Sequence, residues 1–357
     1  MSEKELLKGN IALARGALDA GCRYYFGYPI TPQNDIPEYM SASLPALGGV
    51  FVQAESELAA INMVLGASAA GGAVMTSSSG PGISLMQEGL SYLAGSELPA
   101  VVVNITRSGP GLGGIAPTQG DYFQATRGGG HGDYRLAVLA PSSVQEMYDL
   151  TGEAFRLAFR YRNPVMILGD AILGQMKEPV TVKPAVAPEE DKSWALSGAD
   201  GRLPHLVKSL YLDDGEMTAH NWKLDQKYTR LKEEARVEVD CPPGCSLVLI
   251  AFGSCSRIVR TAVDRARKRG LPVGLIRPVT LFPFPEKEIG RAVSAAGRGL
   301  VIEMNTGQMV DDARLACKGE GVVYFKGYPG GTVPTPEQIE QVIDEAINWR
   351  GAAECQL

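Results

Sequence analysis

Cysteine and histidine are scarce in this chain of 357 residues, which holds six of the first and three of the second. Cys22, Cys241, Cys245, Cys255, Cys317 and Cys355 form no CxxC pair, and the tightest spacing is Cys241-x-x-x-Cys245. His131, His205 and His220 stand at no metal-ligand spacing from one another. Iron–sulfur clusters and structural zinc need several closely spaced ligands, so neither is expected here and no metal residue is assigned. Long apolar runs are missing too: nowhere do about 18 apolar residues follow one another, as a membrane helix requires. Met1-Ser2-Glu3-Lys4-Glu5 has neither the basic start nor the apolar core of a signal peptide, so a cytoplasmic location without a membrane is expected. Charge of one sign is also lacking. With 34 Lys and Arg against 40 Asp and Glu, the net charge is −6, which argues against a nucleic-acid-binding face but leaves room for small anions in a local basic pocket. There is no Walker A sequence, no GxGxxG between a strand and a helix, and no GxSxG, so neither a self-contained nucleotide site nor a serine hydrolase is supported.

What is present is a globular composition, 45% hydrophobic and 21% charged, in a chain long enough for two domains. Ser2-x-x-Glu5 followed by helical periodicity predicts a helix over 3–20, stopped by Gly21. A strand over 23–26 then runs into the rigid Gly27-Tyr28-Pro29-Ile30-Thr31-Pro32. Helices near 34–45, 55–70, 83–94 and 143–160 alternate with strands near 49–53, 72–77, 100–106 and 164–168. Such alternation predicts a parallel sheet covered on both faces. Residues 107–135 break the rhythm as a long glycine-rich loop, a kind of segment that is usually functional. Residues 171–244 read as a structured linker, with an exposed helix over the Lys/Glu-rich stretch Lys223 to Arg236. Alternation resumes with strands near 246–252, 272–277, 299–304 and 322–327 and helices to about 269, then near 286–296, 307–317 and 335–349. The expected domains are therefore 1–170 and 245–357, joined by 171–244.

One constellation gathers where open α/β sheets place their ligands, at the carboxyl ends of successive strands. Its members are Tyr28 to Pro32, Gln53-Ala54-Glu55-Ser56-Glu57, Ser77-Ser78-Ser79-Gly80-Pro81-Gly82, and Asn104-Ile105-Thr106-Arg107. Taken alone, Glu57 could be a first-turn helix carboxylate, Arg107 a surface ion-pair partner, Thr31 a turn residue, and Gly80-Pro81-Gly82 a site of tight packing.

Five motifs in this order, GYPITP (27–32), QAESE (53–57), TSSSGPGISLM (76–86), NITR (104–107) and GGGHGDYR (128–135), make the chain resemble the alpha subunit of the thiamine-diphosphate-dependent 2-oxoacid:ferredoxin oxidoreductases. The resemblance implies an α/β architecture, a pyrimidine-binding-type parallel-sheet domain followed by a transketolase C-terminal-like domain. It implies that Glu57 meets the aminopyrimidine of thiamine diphosphate, promoting the imino tautomer that takes the thiazolium proton. Tyr28, Pro29, Ser79 and Gly80 would also line the cofactor. Arg107, a planar bidentate donor, would take the substrate carboxylate, beside Thr31, Ile30 and His131.

The resemblance further implies oxidative decarboxylation of a 2-oxoacid with coenzyme A as cosubstrate and ferredoxin as electron acceptor. The sequence contains no GDG motif, so Mg²⁺ and the diphosphate are expected on a thiamine diphosphate-binding beta subunit, with a gamma subunit and a ferredoxin-like delta subunit carrying [4Fe-4S] clusters. Residues 109–123 look most like the branched-chain, 3-methyl-2-oxobutanoate subgroup, with Leu112 and Ile115 as an apolar edge. A 2-oxoglutarate enzyme would need a second cation, for which Arg127, His131 and Arg135 are available. A transketolase-like thiamine half-enzyme and a catalytically silent scaffold subunit are the competing classes.

Overall fold

The computed structural model describes residues 4–183 and 191–348. In chain order the first half runs β1 (Lys4–Lys8), α1 (Gly9–Asp19), β2 (Tyr24–Gly27), α2 (Asp35–Ser43), β3 (Val50–Gln53), α3 (Glu57–Ala69), β4 (Val74–Ser78), α4 (Pro81–Leu85), α5 (Gln87–Gly95), β5 (Ala100–Thr106), α6 (Tyr122–Arg127), β6 (Ala137–Leu139), α7 (Val144–Tyr161) and β7 (Pro164–Asp170). Then follow α8 (Ala171–Gln175), β8 (Lys177–Thr181), α9 (Glu216–Leu231), β9 (Val237–Asp240), β10 (Leu247–Ile250), α10 (Gly253–Lys268), β11 (Val273–Pro278), β12 (Thr280–Phe282), α11 (Glu286–Ala296), β13 (Arg298–Glu303), α12 (Met309–Cys317), β14 (Val322–Gly327) and α13 (Pro336–Asn348).

Valine- and isoleucine-rich strands buried on both faces build the seven-stranded sheet, ordered β12-β6-β7-β5-β4-β2-β3 and parallel except for β12. Every residue of β4, β5 and β7 is buried. Val74, Val102 and Met166 point to one face with Ile61 of α3 and Leu90 of α5, while Met75, Val101, Val103 and Ile167 point to the other with Leu13 of α1 and Phe155 of α7. A second sheet, β14-β13-β10-β11-β9, is parallel apart from its antiparallel edge β9.

The two sheets are fastened together. After β11 the chain returns as β12 to pair with β6 at the edge of the first sheet. From the glycine-rich segment, Gln119 Nε2 donates to the Phe252 carbonyl (2.9 Å), and Gln119 Oε1 accepts from the Met304 amide (3.0 Å). Tyr122 OH and Arg127 Nη2 both donate to the Asp312 carboxylate, at 2.5 and 2.8 Å. Arg277, buried between the layers, donates to Glu146 on α7 and to Glu238 on β9.

Three expectations about elements change. The helix expected over 3–20 begins only at Gly9, because residues 4–8 pair as a strand with Lys177–Thr181, a partner far away in sequence. Gly9 marks the switch: a Cβ there would lie 2.0 Å from the Leu173 carbonyl oxygen. The long loop over 107–135 contains the helix α6, whose Tyr122, Ala125 and Thr126 are buried. The helix expected to be exposed over Lys223 to Arg236 starts at Glu216 instead and buries His220, Leu224, Lys227, Tyr228 and Leu231. Among the described residues no helix is long and apolar enough to cross a membrane.

Candidate active site

The site is assembled at the exits of β2, β3, β4 and β5. Leaving β2, the Tyr28–Pro32 loop is held from below. Asn10 Nδ2 (3.0 Å) and Gln175 Nε2 (3.2 Å) donate to the Pro32 carbonyl, and Gln33 Nε2 donates to the Tyr28 carbonyl (3.3 Å). Gln33 is itself fixed, since Ser77 Oγ donates to its Oε1 at 2.5 Å and Tyr25 OH lies 2.6 Å from that hydroxyl. Tyr28, Pro29 and Thr31 are left exposed and Ile30 half-buried, as suits a rim that meets another molecule.

Across the β3 exit, Ser56 accepts the Ala59 amide and caps α3, which makes Glu57 the first helical residue. Its carboxylate is buried, only 5% exposed, with Ser78 Oγ donating to Oε1 at 3.3 Å. No cation among the described residues pairs with it. A buried carboxyl group without a counter-charge is costly unless a ligand completes its environment. Gly82 makes room beside it: a Cβ there would fall 2.1 Å from Ser78 Oγ and 2.3 Å from Glu57 Oε1. The neighbouring Ser79 hydroxyl is fully buried and has no hydrogen-bond partner.

Leaving β5, Arg107 is also largely buried. Nη1 donates to the Thr31 carbonyl (3.0 Å) and Nη2 to the Leu112 carbonyl (3.2 Å). Its Nε is buried without a partner, and a side chain at Gly80 would approach it to 3.1 Å. Gly80 has φ +49, so this turn favours glycine for its backbone as well as for the space it leaves. Nearby, Asn104 Nδ2 donates to Asp121 (2.8 Å), whose carboxyl burial pushes above its ordinary range, partly offset by that bond.

Hydrogen bonds therefore join Glu57 to Ser78 and Arg107 to Thr31, and Gly80 leaves the space that brings Arg107 up against the same turn. Tyr28, Pro29 and Ile30 lie on the same rim. His131 is not drawn into this cluster by any contact. It is exposed on a loop fastened to α5, where the Gly129 amide donates to Gln87 Oε1 (2.9 Å) and the Gly130 amide to Tyr134 OH (2.9 Å). Gln33 and Asn10 were not expected from the sequence, and Asp121 was expected only as part of the 109–123 segment. Gln33 directly follows a proline-locked turn, a signal that could have found it, whereas Asn10 reaches its partner across 22 residues with no local mark.

Comparison with known proteins gives a consistent picture. The sequence model of the family described as pyruvate flavodoxin/ferredoxin oxidoreductase, thiamine diP-binding, matches residues 15–236, and that of pyruvate:ferredoxin oxidoreductase core domain II matches residues 245–339. Ketoisovalerate oxidoreductase subunit VorB of Methanothermobacter thermautotrophicus is 50% identical over 344 residues, covering 96% of this chain and 98% of that one. The 2-oxoglutarate synthase subunit KorA of Archaeoglobus fulgidus is 40% identical over 349 residues, covering 96% and 99%. Among solved structures, a 2-oxoglutarate:ferredoxin oxidoreductase from Magnetococcus marinus with 2-oxoglutarate, coenzyme A and succinyl-CoA bound superposes with a TM-score of 0.88 at 29% identity, over 97% of this chain and 66% of that one. A split-gene transketolase, an inactive beta4 tetramer, shares the fold at a TM-score of 0.58 and 10% identity, over 97% and 99% of the two chains.

Proposed function

Because this chain belongs to the pyruvate flavodoxin/ferredoxin oxidoreductase family, we propose that it is the alpha subunit of a complex that oxidatively decarboxylates 3-methyl-2-oxobutanoate. In this reading coenzyme A receives the acyl group, CO₂ leaves, and ferredoxin takes the electrons. The observation that carries the substrate assignment is the setting of Arg107. Its guanidinium is aimed by the Thr31 and Leu112 carbonyls, next to a loop whose Leu112 and Ile115 are apolar and exposed, a setting that suits one carboxylate and an aliphatic side chain. Of the cations a second carboxylate would need, two already have partners. Arg127 is committed to Asp312, Arg135 lies over the Phe282 ring at 6.0 Å, and His131 sits on the α5 loop.

The buried Glu57, the orphaned Ser79 hydroxyl and the bare edge of Gly82 fit the aminopyrimidine end of thiamine diphosphate. That cofactor supplies the carbanion stabilisation that decarboxylation of a 2-oxoacid requires. This chain's part is to place charges. Glu57 holds or releases one proton at its carboxylate, with Ser78 fixing Oε1, and Arg107 orients the substrate through charge-assisted bonds. Mg²⁺ and the diphosphate fall to a beta subunit in this reading, and the [4Fe-4S] clusters to a delta subunit alongside gamma.

The test is methyl-viologen reduction by the co-purified complex with thiamine diphosphate, Mg²⁺ and coenzyme A. We expect coenzyme A-dependent reduction with 3-methyl-2-oxobutanoate well ahead of 2-oxoglutarate and pyruvate. A preference for 2-oxoglutarate would move the chain to its second class of relatives, and cluster-independent turnover of sugar phosphates would move it to the transketolase-like class.

A further inference from the structure

The tightest cysteine spacing in the sequence has a definite geometry, far from the strand exits that hold Glu57 and Arg107. Strands β9 and β10 both neighbour β11, one on each side, and Cys241-Pro242-Pro243-Gly244-Cys245 crosses from one to the other over the start of β11. The crossing is short because it contains a tight turn. The Cys245 amide donates to the Pro242 carbonyl at 3.2 Å, Pro243 takes the second position, and Gly244 takes the third with φ +79. Proline then a left-handed glycine at these positions is what a type II turn requires. The turn brings the two side chains together above Gly274. Cys241 Sγ and Cys245 Sγ lie 2.7 and 3.0 Å from the point a Cβ on Gly274 would occupy, so glycine at 274 gives both sulfurs room over the same spot. Cys245 Sγ donates to the Leu247 carbonyl at 3.0 Å and Cys241 Sγ faces the Leu275 carbonyl at 4.0 Å; both thiols are half-buried, whereas Cys22, Cys255 and Cys317 are buried.

We propose that Cys241 and Cys245 form a reversible dithiol–disulfide site that reacts with low-molecular-weight disulfides, Cys245 attacking and Cys241 resolving. The Cys245 thiolate attacks one sulfur of the small disulfide, forms a mixed disulfide and expels one small thiolate. Cys241 then attacks the Cys245 sulfur, its proton passing to the second small thiolate as that leaves. The protein loses two electrons, the small disulfide gains them, and two small thiols are released. The order of attack follows from the environment. The neighbouring Cys241 thiol, and then the positive Arg267, draw the Cys245 thiol down to about 7 against its partial burial. Cys241 is pushed up, first by the neighbouring Cys245 and then by burial. A thiol titrating near neutral pH is the one that attacks.

The experiment treats the assembled enzyme, purified under reducing and oxygen-free conditions, with oxidised glutathione at pH 7 and maps the peptides by mass spectrometry. The wild type is expected to yield an internal 241–245 disulfide that dithiothreitol reverses. Cys241→Ser should stall as a glutathione adduct on Cys245, and Cys245→Ser should leave Cys241 unmodified. In the untreated enzyme, Cys245 should be alkylated by iodoacetamide roughly tenfold faster at pH 7 than an ordinary thiol. A wild type that forms no 241–245 disulfide, or a Cys241→Ser enzyme whose adduct is not on Cys245, would overturn the proposal. Activity is expected to be unchanged in both variants, which separates loss of this site from loss of fold.

Discussion

At the scale of single residues, the position of Glu57 was legible and its environment was not. A glutamate closing QAESE at a strand exit is readable from the pattern, and as the first residue of α3 it does occupy the helix-start position that an ordinary first-turn carboxylate would. What sets it apart is burial beside Ser78 and Gly82, which arrive from the next strand–helix unit. Glu57→Gln keeps the shape and removes the proton exchange, so turnover of the complex should fall by about 10² to 10⁴-fold with its melting temperature unmoved. Activity within twofold of wild type would instead favour the silent-scaffold class. Arg107 was legible as a candidate from NITR, but the carbonyls of Thr31 and Leu112 that aim it come from two loops whose meeting no local pattern records.

At the scale of elements, strong periodicity named most helices and strands, and it failed where a distant partner decided. Lys4–Lys8 has a pattern that a helix could use, yet the backbone bonds of Lys177–Thr181 claim it as a strand. Tyr122–Arg127 forms a helix inside a glycine-rich stretch because the second layer supplies Asp312 and Gln308 as partners. The short helix α4 offers a direct test of how one element places the site. Gly82→Ala adds a methyl group that a helix tolerates, favoured intrinsically by about 1 kcal/mol, and the atoms it meets are side-chain ends that can swing aside. Stability should therefore change little, while displacement of Glu57 and Ser78 should lower turnover on the order of 10²-fold. Thermal melting and the methyl-viologen assay, run together, check this. Equal losses in both would show that Gly82 matters only for folding.

At the scale of the whole molecule, buried Arg277 ties the layers through Glu146 and Glu238. Arg277→Met removes the cation of that network and leaves two partly solvated carboxylates behind, an expected loss of about 1 to 2 kcal/mol in chemical denaturation. The same contact sets an acid response. Hydrogen bonding to Arg277 holds the Glu238 carboxyl below its ordinary value of 4.5, so its contribution to stability is present above that pH and is lost as pH falls through the lowered value. Melting temperature should accordingly drop below about pH 4.5, and Glu238→Gln should make that drop shallower. An identical acid slope in the variant would remove Glu238 from the account. Taken alone, the sequence determined the alternating α/β plan, the strand-exit motifs and the absence of cluster ligands, because periodicity, turn chemistry and ligand spacing are local properties. Only the tertiary structure decided that Glu57 is buried without a counter-charge, that Arg107 is steered by two loops, that His131 stands apart, and that β12 returns to the first sheet. Those outcomes depend on contacts between residues tens to hundreds of positions apart, which packing selects and no short window of sequence contains.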